Sequence, residues 1–329
     1  MKRKLLNAFY RIGGFRPFHW GVRDQLLILM YHRFSSSSHT SRVSAGQFRQ
    51  HLRYLARHAN PISLHDGLSA LATGAPLPRN PVVITIDDGY RDAYDIALPI
   101  LREFNFNATL FAVTDFVDGV AWVWTDIMRF ILQQSGGVER RTIQTSAGEF
   151  QISGEDIYSD ADAVNGKLKK MPDELKNKVL QEIAEALNVE VPHRPTSDFE
   201  PLSWDQAREM DSTSIQIESH TVTHPILTEV SEARVDDELL RSKARLETML
   251  DRDANYFCYP NGNVNVRVRD AVARAGYKGA VTTNFGFNKS PVDPFMIDRI
   301  YAPSAIDDFA QCASGFESLK QKVRRRVRV

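Results

Sequence analysis

Val82-Val-Ile-Thr-Ile86, followed at once by Asp87-Asp-Gly89, is the stretch that decides the fold. Its first five residues form a short, continuous apolar run rich in β-branched side chains, which predicts a buried strand. A segment with helical character at residues 90–104 and a further strand at 108–113 come next. Strand, helix and strand in this order predict an α/β fold with a parallel sheet and crossover helices.

The same alternation of predicted strands and helices continues on both sides of this stretch. Residues 26–30 form another short apolar run, and Phe48, Leu52 and Leu55 recur at helical spacing after Ser44, a suitable N-cap. Farther along, strands are predicted at 215–218, 255–259, 279–283 and 297–301, and helices at 231–250 and 266–275. About seven strands with intervening helices predict a barrel, closed or nearly so.

The pattern changes at residues 116–200. This stretch predicts a helix at 122–133, a hairpin at 141–152 that turns at Ala147-Gly148, and polar helices at 157–169 and 173–187. We interpret it as a mostly helical insertion in a barrel that spans residues 22–312, acting either as a lid or as a purely structural elaboration. A basic segment at 1–21 precedes the barrel, and a basic tail at 313–329 follows it.

Composition excludes several classes of protein. The 329 residues are 43% hydrophobic, enough for a sizeable core, and their 41 basic and 41 acidic residues balance, so no nucleic-acid partner is indicated. Cys258 and Cys312 are too few for a disulfide framework. The apolar runs near the N-terminus are too short for a signal peptide or a membrane span. We therefore expect a cytoplasmic protein with reduced thiols.

Two groups of polar residues follow predicted buried strands. Asp87 and Asp88 are adjacent anions whose burial is unfavourable unless a cation neutralises one of them; the alternative is an ordinary Asp-Asp-Gly turn. His220 and His224, in Ser219-His-Thr-Val-Thr-His-Pro225, have the spacing at which two imidazoles grip one ion. One carboxylate and two imidazoles predict a mononuclear metal site with open positions for water and substrate.

These motifs, together with Phe257-Cys-Tyr-Pro-Asn-Gly262, resemble those of the polysaccharide deacetylase family (carbohydrate esterase family 4). The resemblance covers about residues 28–302 and implies a distorted (β/α), TIM-like barrel that removes N-acetyl groups from an amino sugar or polysaccharide. It implies a divalent metal on Asp88, His220 and His224, zinc before cobalt or nickel. It also implies that Asp87 is the general base for attack by metal-activated water.

The third motif supplies the remaining implied roles. The N–H of Asn261 would stabilise the oxyanion, while Tyr259 and Pro260 would contact the substrate; the alternative is a strand that ends in an ordinary turn. Many family members have an arginine where this chain has Cys258. Arg299 is our candidate to supply that guanidinium, and a simple surface arginine is the alternative.

A general acid is also needed, because no histidine follows His224 and the family's C-terminal Leu-x-His is absent. His32 directly follows the first strand and resembles the acid histidine of the exopolysaccharide-modifying branch; a satisfied structural histidine is the less favoured alternative. Candidate pocket-wall residues are Trp122, Trp124, Asp126 and Trp204, with core packing as the alternative for each aromatic.

The basic run at residues 320–328 suggests peripheral contact with anionic lipid, and a lipid-linked sugar is then a reasonable substrate; an ordinary solvated tail is the alternative. Two further functions remain open. One is amide hydrolysis of a non-sugar small molecule, and the other is carbohydrate binding by a catalytically impaired member of the family.

Overall fold

The computed structural model describes residues 2–39, 41–136 and 139–327, without the side chains of Lys2 and residues 322–327. Its main sheet is parallel, with seven strands in the order β11-β10-β9-β6-β5-β1-β12 and a short β4 beside β5. The strands are β1 Leu27–Tyr31, β2 Phe34–Ser35, β3 Val43–Ser44, β4 Asn60–Pro61, β5 Pro81–Asp88, β6 Ala108–Ala112, β7 Arg141–Thr145, β8 Gly148–Ile152, β9 Ile215–Ser219, β10 Tyr256–Cys258, β11 Gly279–Val281 and β12 Ile300–Tyr301.

The two edges of the main sheet nearly meet, because the segment at residues 297–301 pairs with strands at both edges. Ile297 bridges to Val281 of β11, and its carbonyl accepts the N–H of Thr282 at 2.8 Å. A few residues later, β12 pairs with β1. The sheet therefore curls into a distorted barrel, which confirms the predicted α/β fold with about seven parallel strands.

Helices surround the sheet and fill the connections. They are α1 Lys2–Arg11, α2 Phe18–Gly21, α3 Ala45–His58, α4 Leu64–Thr73, α5 Leu98–Phe104, α6 Thr114–Val117, α7 Trp124–Gln134, α8 Ile157–Leu168, α9 Asp173–Ala186, α10 Trp204–Asp211, α11 Glu232–Leu250, α12 Val266–Arg274, α13 Ile306–Ala313 and α14 Phe316–Val327. In the described residues, no helix is long and apolar enough to cross a membrane.

The helix predicted at 90–104 and the strand predicted at 297–301 are both shorter than expected. The helix predicted at 90–104 is interrupted by a π-helical turn, Ala93–Ala97, just before Pro99, which has no N–H to continue the α-helical ladder. Of the strand predicted at 297–301, only Ile297, as an isolated bridge, and the two residues of β12 pair with neighbouring strands. The N–H groups of Asp298 and Arg299 donate to side-chain and main-chain oxygens of the 284–288 loop instead of to a neighbouring strand.

The middle region has an apolar core of its own. Side chains from α7, the β7–β8 hairpin, α8 and α9 form one buried cluster, which includes Met128, Phe150, Val164 and Ile183. The hairpin prediction at 141–152 matches β7 and β8. Because this cluster is separate from the barrel core, the region can place its polar side chains at the barrel opening without disturbing the sheet.

The terminal helices pack on each other beside the barrel. Phe316 at the start of α14 contacts the rings of Phe9, Phe15 and Phe18. Residues 328–329 of the predicted basic tail lie outside the described residues, as do the side chains of 322–327. Cys258 and Cys312 are both free thiols.

Candidate active site

The adjacent carboxylates lie at the carboxyl end of β5, and both are buried. Asp88 has a positive φ of 80°, as have three other non-glycine residues around the site: Thr221 (71°), His224 (59°) and Asn261 (58°). Such a conformation costs a non-glycine residue roughly 1 to 3 kcal/mol and is concentrated at functional sites. The strained turns bring side chains from three different strand ends to one point.

Asp88, His220 and His224 form a compact set of potential metal ligands. The Nε2 atoms of both histidines lie 3.5 Å from Oδ1 of Asp88, and the three ligand atoms are within 4.8 Å of one another. All three residues are buried. Distances of this size between donor atoms leave room for one cation that all three can reach.

The hydrogen bonds of these histidines also fit a cation. Nδ1 of His220 donates to the carbonyl of Cys258 at 2.7 Å, which orients the ring so that Nε2 faces Asp88. Burial would lower the pKa of His220, but its neighbours Cys258 and Asp88 outweigh burial and raise that pKa well above its usual value. Burial and the charge of His220 lower the pKa of His224 to about 3, which keeps that imidazole neutral. A divalent ion could replace the His220 proton that faces Asp88, so the residues present fit a divalent ion.

Asp87 has a different partner. Nη1 and Nη2 of Arg299 donate to its two oxygens at 2.7 and 2.8 Å, and the whole guanidinium is buried. Arg299 also donates to Oγ1 of Thr85 and to the carbonyl of Thr282. Burial alone would raise the pKa of Asp87, but the charge and hydrogen bonds of Arg299 outweigh burial and hold that pKa below its usual range.

A second group, Asp87, His220 and Cys258, also has ligand atoms close together. It fits a metal less well, because both oxygens of Asp87 are held by Arg299. Burial raises the pKa of the Cys258 thiol, against the opposing charge of Arg299, so the sulfur keeps its proton. Metal ligation requires the thiolate. Asp88 and the two histidines are therefore the candidate metal ligands.

His32 lies on the open side of Asp87. Its Nε2 is 3.8 Å from Oδ2 of Asp87, and 38% of its side chain is exposed toward the cavity. By contrast, His51 is fully buried and stacks on Phe309, and His19 bonds to the hydroxyl of Tyr54. His32 is thus within reach of both Asp87 and a bound substrate.

The turn after β10 forms another wall. Asn261 lines the cavity, and Gly262, with a φ of 75°, packs so closely that a Cβ would lie 1.9 Å from Oγ1 of Thr283. Only glycine fits there, which fixes the course of the turn. Tyr259 also lines the cavity, and its hydroxyl donates to the carbonyl of Phe295. Pro260 is buried beneath the turn and is not among the lining residues.

A cavity of about 380 Å³ joins these residues to the middle region. Its lining from the barrel includes Tyr31, His32, Asp87, Asp88, Tyr90, His220, His224, Tyr259, Asn261 and Tyr301. Its lining from the middle region is Trp124, Thr125, Asp126, Arg129, Asp162, Asn165, Gly166 and Lys169. The predicted insertion thus forms one side of the cavity.

Two of the four predicted pocket-wall residues line the cavity and two do not. Trp124 and Asp126 line the cavity, and Asp126 accepts a short hydrogen bond from the hydroxyl of Tyr90. Trp122 and Trp204 do not line the cavity, so they are not pocket-wall residues and core packing is the better interpretation of both. Trp122 packs in an apolar cluster and donates to the carbonyl of Pro192, while the indole N–H of Trp204 donates to Asp118.

Glu238 is a site residue that the sequence analysis missed. It is fully buried on α11, and its Oε2 accepts the N–H groups of Val222 at 2.7 Å and Thr223 at 2.9 Å. Oε1 is paired with Arg234. Glu238 therefore holds the backbone between His220 and His224. The available signal was an acidic residue at a core position of an amphipathic helix.

Comparisons with known proteins agree with this geometry. A family model described as polysaccharide deacetylase matches residues 74–280. The chain is 23% identical over 277 residues to YxkH of Bacillus subtilis (strain 168), a match covering 84% of this chain and 71% of that protein. Over 77 residues it is 34% identical to the poly-beta-1,6-N-acetyl-D-glucosamine N-deacetylase of Escherichia coli (strain K12), covering 23% of this chain and 12% of that protein.

Solved structures show the same architecture. The Streptococcus pyogenes deacetylase PplD in complex with acetate matches with a TM-score of 0.59 and 21% identity, over 88% of this chain and 99% of that one. IcaB from Ammonifex degensii matches with a TM-score of 0.59 and 19% identity, over 88% and 97% of the two chains. At these identities the likeness demonstrates a shared fold.

Proposed function

The chain belongs to the polysaccharide deacetylase family, and on that premise we propose that it removes N-acetyl groups from an N-acetylglucosamine-type amino sugar or polysaccharide. In this proposal Asp88, His220 and His224 hold a divalent cation, zinc in the first place and cobalt or nickel as alternatives. The main supporting observation is that the two adjacent carboxylates have different partners. Asp87 is paired with Arg299, and Asp88 faces the two imidazoles.

A divalent cation at this site would polarise the amide carbonyl and acidify water. Asp87 then acts as the general base that takes the proton from the attacking water. Arg299 keeps Asp87 ionised and fixes its orientation through two parallel hydrogen bonds. Because both Asp87 oxygens already accept these bonds, the carboxylate has little freedom to turn away from the cavity.

His32 provides the second proton transfer. It donates a proton to the sugar nitrogen as the C–N bond breaks, so that acetate and the free amine leave. Its distance of 3.8 Å from Asp87 allows the proton collected from water to return to the imidazole for the next turnover. Asn261 lines the cavity, and its backbone N–H would stabilise the carbonyl oxygen of the substrate as that oxygen acquires negative charge.

The test is acetate release from N-acetylglucosamine oligomers with added Zn²⁺ or Co²⁺, combined with metal analysis of the purified protein. Replacing the general base in Asp87→Asn should lower turnover by at least about 100-fold and leave the metal content unchanged. Asp88→Asn should lose both the metal and the activity. Asp95→Asn, on the π-helical turn after β5, is the matched control and should behave as wild type.

Two results would contradict the proposal. One is turnover in Asp87→Asn equal to that of the control variant. The other is full metal content in Asp88→Asn, which would place the cation elsewhere.

A further inference from the structure

A second cavity, of about 680 Å³, lies between α1 and α3 and is lined by cations. It is lined by Arg11, Arg16, Arg53 and Arg57, and no acidic side chain of the described residues lines it. Within the described part of the chain, none of these four forms an ion pair, whereas Arg49, one turn earlier on α3, is paired at 2.7 Å. The cavity is therefore lined by several guanidinium groups that have no direct ion-pair partner among the described residues.

Two of these cations, Arg16 and Arg57, act on one histidine. His58 also lines this cavity, and burial together with the charges of Arg16 and Arg57 lowers its pKa. Like charges that are gathered without partners repel one another and oppose folding. An anion bound among them would relieve this repulsion, and guanidinium groups suit phosphate oxygens in particular.

Large apolar side chains are exposed on the same N-terminal segment. Ile12, which lines the cavity, is 81% exposed, Trp20 is 72% exposed and Leu5 is 65% exposed. Cationic residues interleaved with exposed aliphatic and aromatic residues are typical of segments that lie in a membrane interface. A soluble anion alone would not account for these apolar side chains.

The C-terminal helix joins this face. Phe316 of α14 packs against Phe9, Phe15 and Phe18, and Arg3 of α1 forms an ion pair with Asp308 of α13. The start of α14 and the N-terminal helices α1 and α2 are thus neighbours. We call the surface formed by α1, α2, α3 and the start of α14 the terminal face.

We propose that the terminal face binds the surface of an anionic phospholipid membrane, with headgroup phosphates in the arginine cavity and Ile12 and Trp20 in the interface. This inference is independent of the proposed function.

The terminal face also lies near the candidate active site. Ala302 lines the active-site cavity and Ile306 lines the arginine cavity. Four residues of extended chain reach at most about 14 Å, so membrane binding would hold the active-site cavity close to the lipid surface.

Vesicle sedimentation tests the proposal. The full chain should bind phosphatidylcholine vesicles that contain phosphatidylglycerol and should not bind pure phosphatidylcholine vesicles. Each cation near an anionic surface contributes a factor of about five in binding, so the double variant Arg53→Gln/Arg57→Gln should bind about 30-fold more weakly. Arg194→Gln/Lys278→Gln removes the same charge from exposed positions elsewhere and should bind within about twofold of wild type.

Further variants separate the alternatives. Ile12→Ser should also weaken vesicle binding, because it removes interfacial contact without changing the charge. Equal losses in the cavity variant and its control would show general attraction of charge and overturn the proposal. So would complete loss in Arg324→Gln/Arg325→Gln/Arg326→Gln with no effect of the cavity variant. Binding of inorganic phosphate without vesicle binding would identify a soluble anion site instead.

Discussion

The strand ends of the barrel and the middle region form opposite sides of the same cavity, yet their side chains are held very differently. At the strand ends, Arg299 donates to Asp87, Thr85 and Thr282, and His220 donates to Cys258. Polar groups on the other side are less completely paired, although Nδ1 of His224 at the strand ends is also buried without a hydrogen-bond partner among the described residues. Nε1 of Trp124 and Oδ1 of Asn165 are buried without a hydrogen-bond partner among the described residues. Lys169 lines the cavity without an ion pair there.

The difference indicates a division of roles. Side chains whose hydrogen bonds are complete before the substrate arrives keep their geometry, which catalysis requires. Side chains with unused bonding capacity gain partners when a substrate binds, so they can distinguish one sugar from another. We therefore expect changes at the strand ends to alter turnover or stability, and changes in the middle region to alter substrate affinity.

The largest effect is expected for His32→Ala, which removes the proposed general acid. Turnover should fall by about 10²- to 10⁴-fold, because the amine would leave without a positioned proton donor. Metal content should stay at the wild-type level, as His32 is not one of the candidate ligands. Steady-state acetate release and metal analysis measure the two quantities. His193→Ala, at an exposed histidine, is the control. Unchanged turnover in His32→Ala would remove this residue from the mechanism.

Arg299→Met should have the next largest effect, because it leaves Asp87 buried without its partner. Losing one partner of a buried ion pair lowers the free energy of unfolding by about 3 to 5 kcal/mol. Arg241→Met, which breaks an exposed ion pair with Asp237, should cost no more than about 1 kcal/mol. Urea unfolding of both variants at neutral pH measures these losses. Equal losses of unfolding free energy in the two variants would show that the buried ion pair stabilises the protein no more than the exposed one.

The pH dependence of this variant has a definite sign. In the wild type, the pKa of Asp87 is lower in the folded protein than in the unfolded chain. The ion pair with Arg299 therefore stabilises the fold fully at pH values above the unfolded pKa, and this stabilisation is lost as the pH falls through the folded pKa. Without Arg299, burial would raise that pKa, and Asp87 would take up a proton at higher pH. The stability difference should therefore shrink as pH falls, and the acid limb of kcat/KM should move to higher pH. A limb that does not move would argue against Asp87 as the base.

The strand ends were also the part of the site that the sequence predicted best. Polar residues directly after buried apolar runs are recognisable, and parallel strands bring their carboxyl ends to one edge. That reasoning predicts that Asp88 lies near His220 and His224 and that His32 lies on the same face as Asp87, and the structure shows both. Arg299 was harder to predict, since the short strand β12 begins only after it. Its burial was visible only in the folded chain.

The rest depended on how helices face the barrel, which periodicity alone does not determine. Glu238 acts through the backbone of Val222 and Thr223, more than ten residues away in sequence. Trp124 and Trp204 each begin a helix, and only the first points into the cavity. The insertion was predicted as a set of elements, but which of its faces meets the site is a matter of tertiary packing.

The smallest effect is expected for Lys169→Gln in the middle region. Lys169 lines the cavity, and burial lowers the pKa of its ammonium group. One hydrogen bond from this group to a sugar oxygen is worth about 1 kcal/mol, so KM should rise by about 3- to 10-fold. Turnover at saturation should stay near the wild-type value. Lys167→Gln, on α8, is the matched control, because Lys167 donates to the carbonyl of Glu149 and does not line the cavity. A fall in kcat with unchanged KM would place Lys169 with the strand-end residues and remove the proposed division between the two sides.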